Sequence, residues 1–141
     1  MENQVFYTVL SGTLVFVLGQ ILQKFVLEPI QEYKKTIGKI DNQLKFYCNV
    51  LINAVSNEEQ IVKLTDIVRA LSCDLESIYK QIPLSGLFSK IRVLETKSDV
   101  AKAAKLLISI SNSGGRSDTR ALRCDDEIEK VRKLLKIESL N

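Results

Sequence analysis

The hydrophobic and polar positions divide the chain into an uncharged stretch followed by a series of striped segments. Between Asn3 and Gln23 no charged residue occurs, and Val5, Phe6, Val9, Leu10, Leu14, Val15, Phe16, Val17, Leu18, Ile21 and Leu22 are strongly apolar. As a helix this stretch is about 31 Å long, the thickness of a bilayer's hydrocarbon core. Its apolar residues favour insertion by on the order of 5 kcal/mol, eroded by Thr8, Ser11, Gly12, Thr13, Gly19, Gln20 and Gln23. The pattern predicts a membrane span. A cleaved signal peptide fits poorly, because Met1-Glu2-Asn3-Gln4 carries no positive charge and no small-residue cleavage triplet follows Leu22. A helix lying in the membrane surface would need a polar face between Val5 and Leu22, and there is none.

Directly after this stretch, Ile30, Tyr33, Ile37, Ile40, Leu44, Tyr47, Leu51 and Ala54 recur at spacings of 3 and 4. Polar and charged residues fill the other faces, which predicts an amphipathic helix with a narrow seam. Thr8, Gly12, Val15, Gly19, Leu22 and Val26 continue the seam into the membrane stretch, offset by one residue at Glu28-Pro29-Ile30. Proline lacks a donor and strains the preceding turn, so a kink or break is expected there. The small residues of the membrane seam would let two helix backbones approach closely. They are also simply common in membrane helices.

The remaining stripes predict further helices and no strand. Ser56 or Asn57 can cap a second helix, with Glu58 and Glu59 in its first turn and Ile61, Leu64, Val68, Leu71, Leu75 and Ile78 on its stripe. It should stop near Ile82-Pro83. Leu87, Phe88, Ile91 and Leu94 suit a short helix within 84–94, which Gly86 weakens. Ser98-Asp99 reads as a cap before Val100, Ala103, Ala104, Leu107 and Ile110. Turn-forming residues from Ser111 to Arg120 read as a loop, and a last helix is expected from Asp125 to about Glu138. The fold class is therefore all-α: a transmembrane helix and kink over 1–29, then a cytoplasmic bundle of about four helices over 30–141.

Charge adds an orientation. No Lys or Arg precedes the span, whereas Lys24, Lys34, Lys35, Lys39 and Lys45 follow it, so the N-terminus is expected outside and the bundle in the cytoplasm. Lys24, Lys34, Lys35 and Lys39 are candidates to hold anionic lipid headgroups, and they also suit an ordinary solvated face. The net charge of +3 gives no strong nucleic-acid signal. Cys48, Cys73 and Cys124 are an odd set with no close pair, and histidine is absent. A zinc centre or a disulfide framework is therefore not expected, and no metal or cofactor.

Candidate chemistry is sparse. The 111–123 segment holds Arg116, Arg120 and Arg123 with Gly114 and Gly115. Arginine forks and glycine-exposed backbone suit an anionic nucleotide, although Gly-Lys-Ser/Thr and a preceding strand are lacking. A solvated linker ending a helix at Gly114 or Gly115 explains the same residues. No nucleophile, carboxylate-pair or thiolate motif stands out, so no catalytic residue is assigned and an enzyme is not expected.

At Gly19-Gln20, Lys24-Phe25, Glu28-Pro29-Ile30, Ile82-Pro83 and 107–113, the chain resembles a family of small bacterial proteins. Its members have one N-terminal span and a helical cytoplasmic domain, with no activity to carry over. The resemblance implies a bacterial inner-membrane location and no ligand residue.

The leading expectation is a membrane-anchored, self-associating interaction or effector protein. Its oligomer seam would use Thr8, Gly12, Gly19, Ile30, Tyr33, Ile37, Ile40, Leu44, Tyr47 and Leu51 against a second copy or a helical partner. By analogy, anti-phage defence effectors that disturb the membrane have this economy of parts. One rival is a module gated by a nucleotide messenger bound at 111–123. The other is a passive tether or accessory subunit of a larger enzyme.

Overall fold

The computed structural model describes residues 2–52, 58–113 and 118–137, with side chains over 4–47, 59–112 and 126–137. Every regular element among them is helical: α1 (Glu2–Leu22), a π-helical segment (Gln23–Leu27), α2 (Glu28–Ile52), α3 (Glu58–Gln81), α4 (Ser85–Lys90), α5 (Lys97–Ser113) and α6 (Asp118–Leu134).

The first three form one unbroken helix, about 75 Å long at 1.5 Å per residue. This corrects the break expected at Pro29. Pro29 has no N–H, and in an α-helix its ring would crowd the carbonyl of Phe25. The backbone answers by widening the turn before it: the Glu28 N–H donates to the Gln23 carbonyl, five residues back. A π turn takes up one extra residue. That residue is the one-position offset between the two seams, so the face carrying Leu22 and Val26 leads into Ile30. Val26 is half-buried against the core that Ile30 joins.

Four helices share that core. α2 packs on α3, α3 on α5, α5 on α6, and α6 on α2. Their directions alternate. The Tyr33 and Tyr79 rings meet edge-on at 5.5 Å, pairing the start of α2 with the end of α3. The Tyr47 hydroxyl donates to the Ile110 carbonyl at 3.3 Å, pairing the ends of α2 and α5. Ser109 donates to Glu127, and Arg132 Nε reaches Asp41 at 3.2 Å, which brings α6 back toward the start of α2.

Each helix contributes a stripe. Leu64, Val68, Leu71 and Leu75 of α3 are buried with Val100, Ala103, Leu107 and Ile110 of α5, and with Ile128, Val131 and Leu135 after them. α3 and α5 meet through small side chains: Ser72 Oγ donates to the Ala104 carbonyl at 2.8 Å, with Ala103 fully buried alongside.

The α2 seam is spent inside the chain. Ile30, Tyr33, Ile40, Leu44 and Tyr47 are buried and Ile37 is half-buried, all within the shared core. They are not free to mate with a second copy, which corrects the oligomer seam assigned to them. A 3-4 spacing reports that one helical face is apolar and is silent on whose surface covers it. The Leu51 side chain lies outside the described residues, as do Ala54, Ser56 and Asn57.

Two element boundaries move. α5 is capped by Thr96 instead of Ser98: Thr96 Oγ1 accepts the Asp99 N–H at 3.2 Å and donates to Asp99 Oδ2 at 2.7 Å. The ten-residue loop expected from Ser111 contracts, because α5 runs to Ser113 and α6 starts at Asp118, seven residues ahead of Asp125. Turn propensity yields here to tertiary contacts. Ser111 is buried with its hydroxyl on the Ile108 carbonyl, and Asn112 Oδ1 accepts from Arg69 at 2.9 Å.

Candidate functional site

No part of the described chain covers α1. Its large apolar side chains are about half to two-thirds exposed, from Ile21 at 47% to Val15 at 69%, while the other long helices close a core. It is the one described helix long and apolar enough to cross a membrane. Its serine and threonine hydroxyls are internally satisfied: Thr8 Oγ1 donates to the Gln4 carbonyl, Ser11 Oγ to Thr8 and Thr13 Oγ1 to Val9, at 2.9–3.0 Å. Such back-bonding removes much of the cost of carrying a hydroxyl into hydrocarbon. Gly12 and Gly19 have open space around them, so a Cβ at either would meet nothing within the chain.

Lys24 lies on the π-helical segment, and Lys34, Lys35 and Lys39 on the first turns of α2. All four are exposed, and no described carboxylate pairs with them. Over 24–39 these four lysines stand beside two exposed glutamates, Glu28 and Glu32, so the chain presents net positive charge where α1 ends.

Just beyond, a buried polar clasp joins three helices. Tyr33 of α2 donates its hydroxyl to Glu95 Oε2 at 2.8 Å, and Tyr79 of α3 donates to the Glu95 carbonyl at 2.9 Å. Glu95 immediately precedes the Thr96 cap of α5, where the helix dipole favours a carboxylate. Burial first, then the Glu95 charge and its hydrogen bond, push the Tyr33 phenol well above its ordinary value. Burial likewise raises Tyr79, against the opposing effect of Ser85. Phenols held protonated in this way are donors and not nucleophiles. The arrangement fastens α2, α3 and α5 together at the end facing α1, and sequence reading missed it because its members lie far apart along the chain.

Two shallow grooves mark the sides of the domain. Lys102, Lys105, Lys130 and Lys133 surround Leu106 and Leu134 between α5 and α6, enclosing about 470 Å³. Lys133 is paired with Glu129 at 2.8 Å. Between α2 and α3, Phe46 and Ile67 line a second groove of about 430 Å³.

The arginine segment is only partly described. Gly114, Gly115 and Arg116 lie outside the described residues, and Arg120 and Arg123 fall on the backbone of α6, their side chains outside the description. The 111–123 segment is not one continuous loop, since 111–113 belong to α5 and 118–123 to α6. Among the described residues no group of three or more His, Cys, Asp or Glu gathers to hold a metal, and Cys73 is a free, exposed thiol.

Comparison with known proteins finds no matching protein family, no matching curated protein and no matching solved structure. The likeness to small bacterial single-pass proteins thus carries nothing further, and function rests on the chain's own residues.

Proposed function

We propose that this chain is a single-pass protein of the bacterial inner membrane, anchored by α1 with its N-terminus outside, and that it acts through self-association rather than catalysis. The observation that carries the reading is the contrast between α1, apolar and uncovered, and a helical domain whose apolar stripes are already closed against one another. An uncovered apolar helix of 21 residues is costly in water and at home in hydrocarbon. Lys24, Lys34, Lys35 and Lys39 at its end support a cytoplasmic domain and headgroup contact.

With the α2 seam used internally, self-association falls to the face of α1 carrying Thr8, Gly12 and Gly19, where open backbone admits a second helix. The continuous helix from Glu2 to Ile52 offers the mechanism. A change in how the domain packs turns or tilts α2, and the π-helical segment passes that motion to α1. A membrane-perturbing effector needs this coupling together with an oligomer.

Membrane extraction and thiol accessibility test the anchor and its orientation. In a Cys48→Ser/Cys124→Ser background the exposed Cys73 is the sole thiol. A membrane-impermeant maleimide should label it in inverted vesicles and not in intact spheroplasts, and alkaline carbonate should fail to release the protein. Release by carbonate would contradict the span. Labelling from the outside would reverse the orientation.

A further inference from the structure

The connection between α3 and α5 carries apolar side chains that the fold leaves uncovered. Leu84, Leu87 and Ile91 are 68%, 55% and 59% exposed, at spacings of 3 and 4. Phe88, between them, turns inward and packs on the core. The segment is held in shape: Leu84 and Arg92 adopt left-handed backbone (φ 55° and 60°) on either side of α4, and Ile82 and Leu94 anchor its ends as core residues.

Its place in the fold identifies what covers it. Tyr79 and Glu95, which bracket the segment, both meet the clasp at Tyr33. Tyr33 lies six residues past Leu27, about 9 Å along the helix axis. The segment therefore closes the end of the domain facing α1, the end into which the π-helical segment with its exposed Phe25 and Leu27 leads. Between Gln81 and Leu94 there is no carboxylate, while Lys90 and Arg92 are present; the preceding Lys80 is paired with Glu76 at 3.5 Å. An apolar face that carries Lys90 and Arg92 and no carboxylate of its own, at the end of the domain facing an apolar helix, matches an anionic leaflet.

We propose that Leu84, Leu87 and Ile91 enter the interfacial layer of the leaflet from which α1 emerges, with Lys90 and Arg92 against its anionic headgroups. This second contact rests on the reading of α1 as a span. It holds the domain at two points, so that tilt of the domain against the bilayer is restrained and leaflet charge bears on it.

The chain has no tryptophan, so single-tryptophan variants report depth cleanly. Leu87→Trp, Leu14→Trp and Val62→Trp are to be reconstituted as full-length protein in vesicles of phosphatidylcholine and phosphatidylglycerol carrying shallow or deep brominated chains. Leu87→Trp should lose roughly half its emission to shallow bromines, as expected for a side chain about 5–10 Å into the boundary. Leu14→Trp should respond to deep bromines and Val62→Trp to neither. An unquenched Leu87→Trp beside a quenched Leu14→Trp overturns the second contact and leaves the span standing. An unquenched Leu14→Trp overturns the span and the second contact with it. Ile91→Trp serves as the shallow reporter should Leu87→Trp fold poorly.

Discussion

Lys136 adopts left-handed backbone (φ 50°) just past α6, where its N–H bonds to the Lys133 carbonyl and that of Ile137 to the Arg132 carbonyl. This is the Schellman arrangement that ends many helices, with a lysine in the position glycine usually takes. Arg92 repeats it after α4, with N–H bonds from Arg92 to Ser89 and from Val93 to Phe88. A side chain in this conformation costs about 1–2 kcal/mol, so Lys136→Gly should raise unfolding stability by up to about 1 kcal/mol after glycine's extra chain entropy. Denaturant unfolding in detergent measures it. The clasp gives the opposite expectation: Tyr33→Phe leaves the buried Glu95 carboxylate without its phenol donor, and should cost about 1–3 kcal/mol. It also changes pH behaviour. With the Tyr33 phenol raised in the fold, stability is fully present below the ordinary phenol value of 10.0 and falls as pH rises beyond it. Part of that alkaline loss should vanish from the unfolding curves of Tyr33→Phe.

At the scale of elements, the stripes of α3 and α5 were legible because they are long and regular, and Leu64, Val68, Leu71, Leu75, Val100 and Leu107 are buried as their spacing implies. The cap of α5 was misplaced by two residues: Ser98-Asp99 read as the cap, whereas Thr96 holds that position through its bonds to Asp99. What periodicity could not reveal is the partner of a face, so the α2 seam read as an interface when it is core. Nor could Pro29 alone say how its strain would be relieved; the offset between the two seams was the trace of the π turn. The loop expected from Ser111 begins later for a related reason: Ser111 and Asn112 stay in α5, the first bonding the Ile108 carbonyl of its own helix and the second accepting from Arg69 of α3. The small-residue contact of α3 with α5 predicts its own outcome. Ala103 is fully buried beside the Ser72–Ala104 hydrogen bond, so Ala103→Leu should force these helices apart and destabilise by about 1–3 kcal/mol or more.

For the whole molecule, the division of labour between α1 and the helical domain carries the functional account. The domain closes its core without α1, so a chain lacking residues 2–22 should remain folded and leave the membrane fraction. Sedimentation and circular dichroism of that truncated form check both halves of the expectation. In the proposed function α1 has two tasks: to hold the domain at the bilayer, and to bring copies together through Thr8, Gly12 and Gly19. The most direct test is the mass of the full-length protein in lipid nanodiscs beside that of Gly12→Leu/Gly19→Leu. The wild-type chain should give a defined oligomer and the double variant a monomer, since leucine at the open backbone positions keeps two helices apart. A monomeric wild-type chain would contradict self-association and leave α1 as a passive tether. An oligomer that survives both substitutions would show that a different surface carries it.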